Sequence, residues 1–129
     1  MTGWMVFADA AVAHADGTFS LVRAGIDGID PQNIPHGQPR VMQGALFVRI
    51  VSSQNDIGNH QLRIILEDAN GTVVPVLELP QMPFNFTAPG MVNTIVVSVA
   101  GVPIPPAGRY TFRALVDETE VARWPLEIR

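Results

Sequence analysis

The sequence predicts an all-β protein: one antiparallel β-sandwich of about eight strands with little helix, a single domain over residues 1–129. Three observations carry this. Apolar and other residues alternate with period two, not 3.6, in Val41–Val51, Gln61–Asp68 and Tyr110–Val116. Eleven prolines and eleven glycines punctuate the chain, which leaves little room for long helices. Hydrophobic residues make up 47% and charged residues 16% of 129, enough apolar surface for one core without staples.

The elements follow in order. Trp4–Val12 opens as an apolar strand, Asp16-Gly17 is a hairpin turn, and Thr18–Ile26 returns beside the first strand. Asp27–Arg40 holds three prolines and two glycines and reads as a loop, with room for one helical turn near Asp30–Ile34. Val41–Val51 is a strand with Leu46, Val48 and Ile50 inward and Ala45, Phe47 and Arg49 outward. After the polar loop Ser52–Asn59, Gln61–Asp68 turns Leu62, Ile64 and Leu66 to one face. Asp68–Gly71 is a turn, and Thr72–Leu79 is a strand that Pro75 confines to an edge or a bulge. Pro80–Gly90 reads as a second loop, Met91–Val99 as a strand, and Gly101–Gly108 as a proline-rich connection. Tyr110–Val116, a tight turn at Asp117–Thr119 and Glu120–Arg129 close the fold.

Composition removes several classes of function. With no cysteine there is no disulfide, thiolate zinc site, iron–sulfur cluster or cysteine nucleophile. A net charge of −4 offers no electrostatic footprint for nucleic acid or anionic lipid. All eight basic residues are arginine, from which nothing functional follows. The first basic residue is Arg23, and Asp9 interrupts the opening apolar run, so no secretory leader is read. Leu79–Gly108 is uncharged for thirty residues, but its prolines forbid a spanning helix. The expectation is a cytoplasmic protein without a membrane or nucleic-acid partner.

At the carboxy end, Pro105-Pro106-Ala107-Gly108-Arg109-Tyr110-Thr111-Phe112 leads to Val116-Asp117 and Val121-Ala122. This run resembles the closing hairpin of immunoglobulin-like sandwiches. There a tyrosine buries its ring while its hydroxyl bonds the backbone. The opening Ala8-Asp9-Ala10-Ala11, the strand Ala45–Val51 and the same closing hairpin resemble an uncharacterised family of short bacterial β-sandwich proteins, a domain of unknown function. That resemblance implies a small stand-alone sandwich and carries over no activity or site residue, in either direction.

The residues offer no chemistry of their own. His14, His36 and His60 fall in or beside different predicted connections, match no zinc spacing and read as exposed loop histidines. Asp27-Gly28-Ile29-Asp30 lacks the alternating oxygen ligands of a calcium loop and reads as a turn. No serine sits in a nucleophile elbow, and Glu67, Asp68, Glu118 and Glu120 read as residues solvating turns. No catalytic residue, metal ligand or cofactor is assigned.

Two features remain. The uncharged loop sets Met82, Phe84, Phe86 and Met91 among prolines. Either it folds over an open end of the sandwich and plugs the core, or it is a neutral contact surface for a homo-oligomer or another protein. Trp4 and Trp124 are the natural stacking platforms if the domain binds a small ligand or carbohydrate, with Trp124 the better placed of the two. A non-catalytic, self-associating interaction module is the leading expectation, ligand binding the alternative, and a hydrolase the least supported.

Overall fold

The structure, a computed structural model, describes residues 1–75, 79 and 81–129. It is all-β. Twelve strands appear among the described residues: β1 (Thr2–Ala8), β2 (Ala10–Ala13), β3 (Phe19–Val22), β4 (Gly28–Ile29), β5 (Val41–Met42), β6 (Ala45–Val51), β7 (Gly58–Asp68), β8 (Met82–Phe86), β9 (Val92–Ser98), β10 (Val102–Pro103), β11 (Gly108–Val116) and β12 (Thr119–Ile128). Two single-turn 3₁₀ helices, Pro31–Asn33 and Gln54–Asp56, are the helical content of the described residues. No described helix is long and apolar enough to cross a membrane.

Two sheets dominate. One runs β1-β6-β9 and the other β4-β12-β11-β7-β8. Their inner faces meet in one cluster: Phe7, Leu46, Val48 and Ile50 from the first, Leu62, Ile64, Leu66, Phe112 and Leu126 from the second. The Phe7 and Phe112 rings, 5.4 Å apart, join the two sheets. Period-two alternation is what builds this core, since every second residue of β6, β7 and β11 turns inward. Tyr110 is buried as expected, and its hydroxyl donates to the Pro106 carbonyl at 2.6 Å.

Several expectations need correction. Twelve strands replace about eight because four of the additional ladders are two to four residues long, too short to show a period. One pairing, β12 with β4, is parallel. The expected strand Trp4–Val12 breaks at Asp9. Its first part pairs with β6, and only Ala10–Ala13 forms a hairpin with Phe19–Val22. At the break the Asp9 N–H donates to Val22 and its carboxylate meets Arg23 at 2.9 Å. The Asp16-Gly17 turn forms as expected, with Asp16 accepting from Thr18 and Gly17 at φ 83°.

Val41–Val51 divides at Gly44, where backbone presses so closely on Phe7 and Ala8 that a Cβ would stand 2.5 Å from the Phe7 ring. The expected loop Ser52–Asn59 gives up Gly58 and Asn59 to β7. In Thr72–Leu79, Val73 bridges Glu67 and Val74 donates to Leu66; positions 76–78 and 80 lie outside the described residues. The supposed loop Pro80–Gly90 contains β8, the edge of the five-stranded sheet. Gln61, opposite Pro83, uses its N–H and C=O on Asp117, so the proline has no ladder bond to lose there.

Candidate interaction surface

The two sheets differ on their outer faces. On the five-stranded sheet, Arg113 reaches Glu67 at 2.5 Å and Glu120 at 2.7 Å, and Arg123 reaches Glu120 at 3.0 Å. Arg63 pairs with Glu118 at 2.6 Å. Leu115 and Ile65 lie under this layer, both buried. The Arg113 guanidinium, with Arg123 behind it, holds the Glu120 carboxyl below the usual carboxylate range.

The outer face of β1-β6-β9 is built otherwise. Because Met5 and Phe7 turn inward, Trp4 and Val6 turn outward; by the same parity β6 presents Phe47, Arg49 and Val51, and β9 presents Val92, Thr94 and Val96. Phe47 is covered. Its ring lies 5.5 Å from Trp4 and 5.3 Å from Phe19, so the β2–β3 hairpin folds onto this side of the sheet. Beyond the hairpin the face is open: Trp4 is 50% exposed, Val92 41%, Val96 38% and Val51 37%. Arg49 is the one charge among these side chains.

The residues singled out from sequence fall elsewhere. Phe86 is fully buried in the common core, so its ring is a core cap and not a surface. Met82, Phe84 and Met91 are half-buried and pack against that core. Met91 also closes the connection between β8 and β9, where the buried Ser52 hydroxyl donates to Ala88 and accepts the Met91 N–H. Trp124 is half-buried, and its indole N–H donates to the Ile26 carbonyl at 2.7 Å. The half-exposed tryptophan is Trp4, not Trp124.

The histidines also part company. His14 meets Ser20 at 2.6 Å and His36 is exposed on the 30–40 loop. His60 is no exposed loop residue. It sits in β7 with only 13% of its side chain exposed, stacked against Phe84 and Phe86. Its Nδ1 faces the Asp117 carboxylate at 2.6 Å and its Nε2 faces the Asp56 carbonyl at 2.5 Å. Two acceptors on one imidazole favour the doubly protonated ring. The Asp117 carboxylate first, then the Asp56 carbonyl, raise the His60 pKa above its ordinary value, and His60 in turn lowers that of Asp117. The contact pins the β11–β12 turn, where Asp117 and Glu118 adopt φ 49° and 70° without glycine.

A pocket of about 440 Å³ opens beside the first sheet, floored by Phe7, Met42, Ile29 and Ile104 and rimmed by Asn33 and Gln38. Of its lining charges, Asp9 and Arg23 are paired with each other, and Asp30 accepts the Gln32 N–H.

Fold and surface define an all-β protein with one charged and one apolar sheet face. The chain belongs to the family of unknown function DUF6941, whose model matches residues 3–129. No curated protein matches it.

Proposed function

We propose that this protein is a non-catalytic interaction module on an immunoglobulin-like sandwich frame, acting in the cytoplasm through the outer face of β1-β6-β9. The single observation behind this is the cluster of Trp4, Val51, Val92 and Val96, left open on a sheet whose inner face already supplies the core. Aromatic and aliphatic side chains with few charges are the composition of an interface centre. The buried Tyr110, bonded to Pro106, supports the immunoglobulin-like frame. The sequence candidates Met82, Phe84 and Met91 contribute through packing under β8 and β9, and the outward contact moves to Trp4.

Side chains kept for contact can be replaced without unfolding the domain. Val96→Ser should change stability by less than about 1 kcal/mol. Trp4→Ser should cost about 1–2 kcal/mol through its contact with Phe47. Chemical denaturation measures both. Losses above about 3 kcal/mol, typical of core truncation, would make this face part of the fold and remove the reading.

The pocket beside Phe7 favours the alternative, a small-ligand module: its floor is apolar and its rim carries neutral amides. Fluorescence titration with neutral sugars and amides tests it. Saturable binding abolished by Gln38→Ala supports it, and no binding at millimolar ligand removes it.

A further inference from the structure

We infer that the partner is a second copy of the same chain, joined at the open edge of this face along β9, so that two three-stranded sheets become one of six strands. The inference rests on the interaction reading above and names the partner.

The argument compares sheet edges. β1 is shielded by β12: a Cβ placed on Gly3 would stand 3.2 Å from the Val121 carbonyl. β4 is only two residues long. β8 carries Pro83, and its Asn85 carbonyl is occupied by the Asn93 side chain at 2.9 Å. Those are ordinary ways of blunting an edge. β9 shares that Asn93 contact with β8 near its start, but carries none of the other devices. It runs seven residues, Val-Asn-Thr-Ile-Val-Val-Ser, without proline, glycine or charge, and among the described residues its ladder partner is β6 alone.

The ladder shows which groups point outward. Val99 donates to Gly44, and Ser52 donates to Met91, at the two ends of the β6–β9 pairing. Antiparallel strands alternate, so the odd-numbered residues between them bond β6. Val92, Thr94, Val96 and Ser98 therefore aim their N–H and C=O groups away from it, each one donor and one acceptor.

An antiparallel strand can pair with its own copy about a two-fold axis. An axis through Ile95 sets Thr94 against Val96 of the copy and Val92 against Ser98 of the copy. All four outward residues then meet outward residues. Their side chains share the outer face, so Val96 lies beside Thr94 of the copy and Val92 beside Ser98 of the copy on one continuous sheet surface. No like charges meet in the seam. Arg49 lies one strand in, and it is separated from its copy by three strand spacings, roughly 14 Å.

Sedimentation equilibrium of the full chain, with hydrogen exchange of the Thr94 and Val96 amides, tests this. The expected result is a species of twice the chain mass that dissociates on dilution. Protection of both amides should fall in step with dissociation. Val96→Lys should sediment at the single-chain mass with an unchanged far-ultraviolet spectrum. If that variant unfolds, the concentration dependence of amide protection in the unaltered protein decides by itself. A single-chain mass at every concentration overturns the inference. So does a dimer whose Thr94 and Val96 amides exchange freely, because another surface then joins the copies. Trp4→Ser and Val96→Ser separate the two failures: a monomer that tolerates both keeps the interaction face with a different partner, whereas a monomer unfolded by both loses the face as well.

Discussion

The five-stranded sheet covers its outer side with Arg63, Glu67, Arg113, Glu120 and Arg123 in linked pairs, while the three-stranded sheet covers part of its own with a hairpin and leaves Trp4, Val92 and Val96 in the open. Both inner faces are equally apolar and feed the same core. The contrast shows that folding requires one buried face per sheet and places much weaker demands on the other. What each outer face carries is therefore free to serve solubility in one case and contact in the other.

The largest effect belongs to the apolar side. Phe47 is an outer-face residue by parity, yet it is 5% exposed beneath Trp4 and Phe19. Phe47→Ala should cost about 3–4 kcal/mol and release the β2–β3 hairpin, seen as faster proteolysis between Ala13 and Phe19. A cost below about 1 kcal/mol would mean that the hairpin does not hold this face, and the two outer sides would be alike.

On the charged side, Arg113→Met leaves Glu67 and Glu120 without their shared guanidinium. The expected cost is about 1–2 kcal/mol, since both carboxylates are only partly exposed. It should shrink in 1 M salt, where the screening length falls to about 3 Å and ions compete at the partly exposed carboxylates. A cost that ignores salt would assign the role of Arg113 to the packing of its aliphatic stem.

His60 tests the corner where β7, β8 and the β11–β12 turn meet. Its folded-state pKa is raised, so its contribution is complete below the unfolded value near 6.5 and is lost as pH climbs through the folded value. His60→Gln should destabilise by about 1 kcal/mol at pH 6 and by less at pH 9. The Asp117 carboxyl, lowered by His60, works in the opposite sense: its share is present at neutral pH and is lost as acid protonates it. Equal destabilisation at both pH values would mean that the imidazole serves as a spacer against Phe84 and Phe86.

Much of this was legible in the residues. Long alternating runs gave β6, β7, β9 and β11, and the local pattern around Gly108 and Tyr110 gave the buried tyrosine and its hydroxyl bond. Two-residue ladders such as β5–β10 have no period to read. β8 looked like a loop because prolines usually forbid strands, and only the partner strand shows that Pro83 faces a residue bonded elsewhere. The His60–Asp117 contact joins positions 57 apart, and Trp124 is satisfied by a carbonyl 98 positions away. Which tryptophan is covered depends on such tertiary pairings, and no local pattern around Trp4 or Trp124 encodes them.

The smallest expected effect is the sharpest control on the contrast between the faces. Arg63 and Glu118 form an ion pair at 2.6 Å, with 38% and 63% of their side chains exposed. At that exposure water screens the charges, and fixing two long side chains costs most of what the attraction returns. Arg63→Gln should change stability by less than about 0.5 kcal/mol. It should also leave sedimentation unchanged, because this residue lies on the opposite side of the molecule from Val96. Val96→Lys is expected to show the reverse: unchanged fold and altered association. A shift in assembly from Arg63→Gln, with none from Val96→Lys, would move the contact surface to the charged sheet. The exposed valines of the other sheet would then be solvent-facing residues of an ordinary edge.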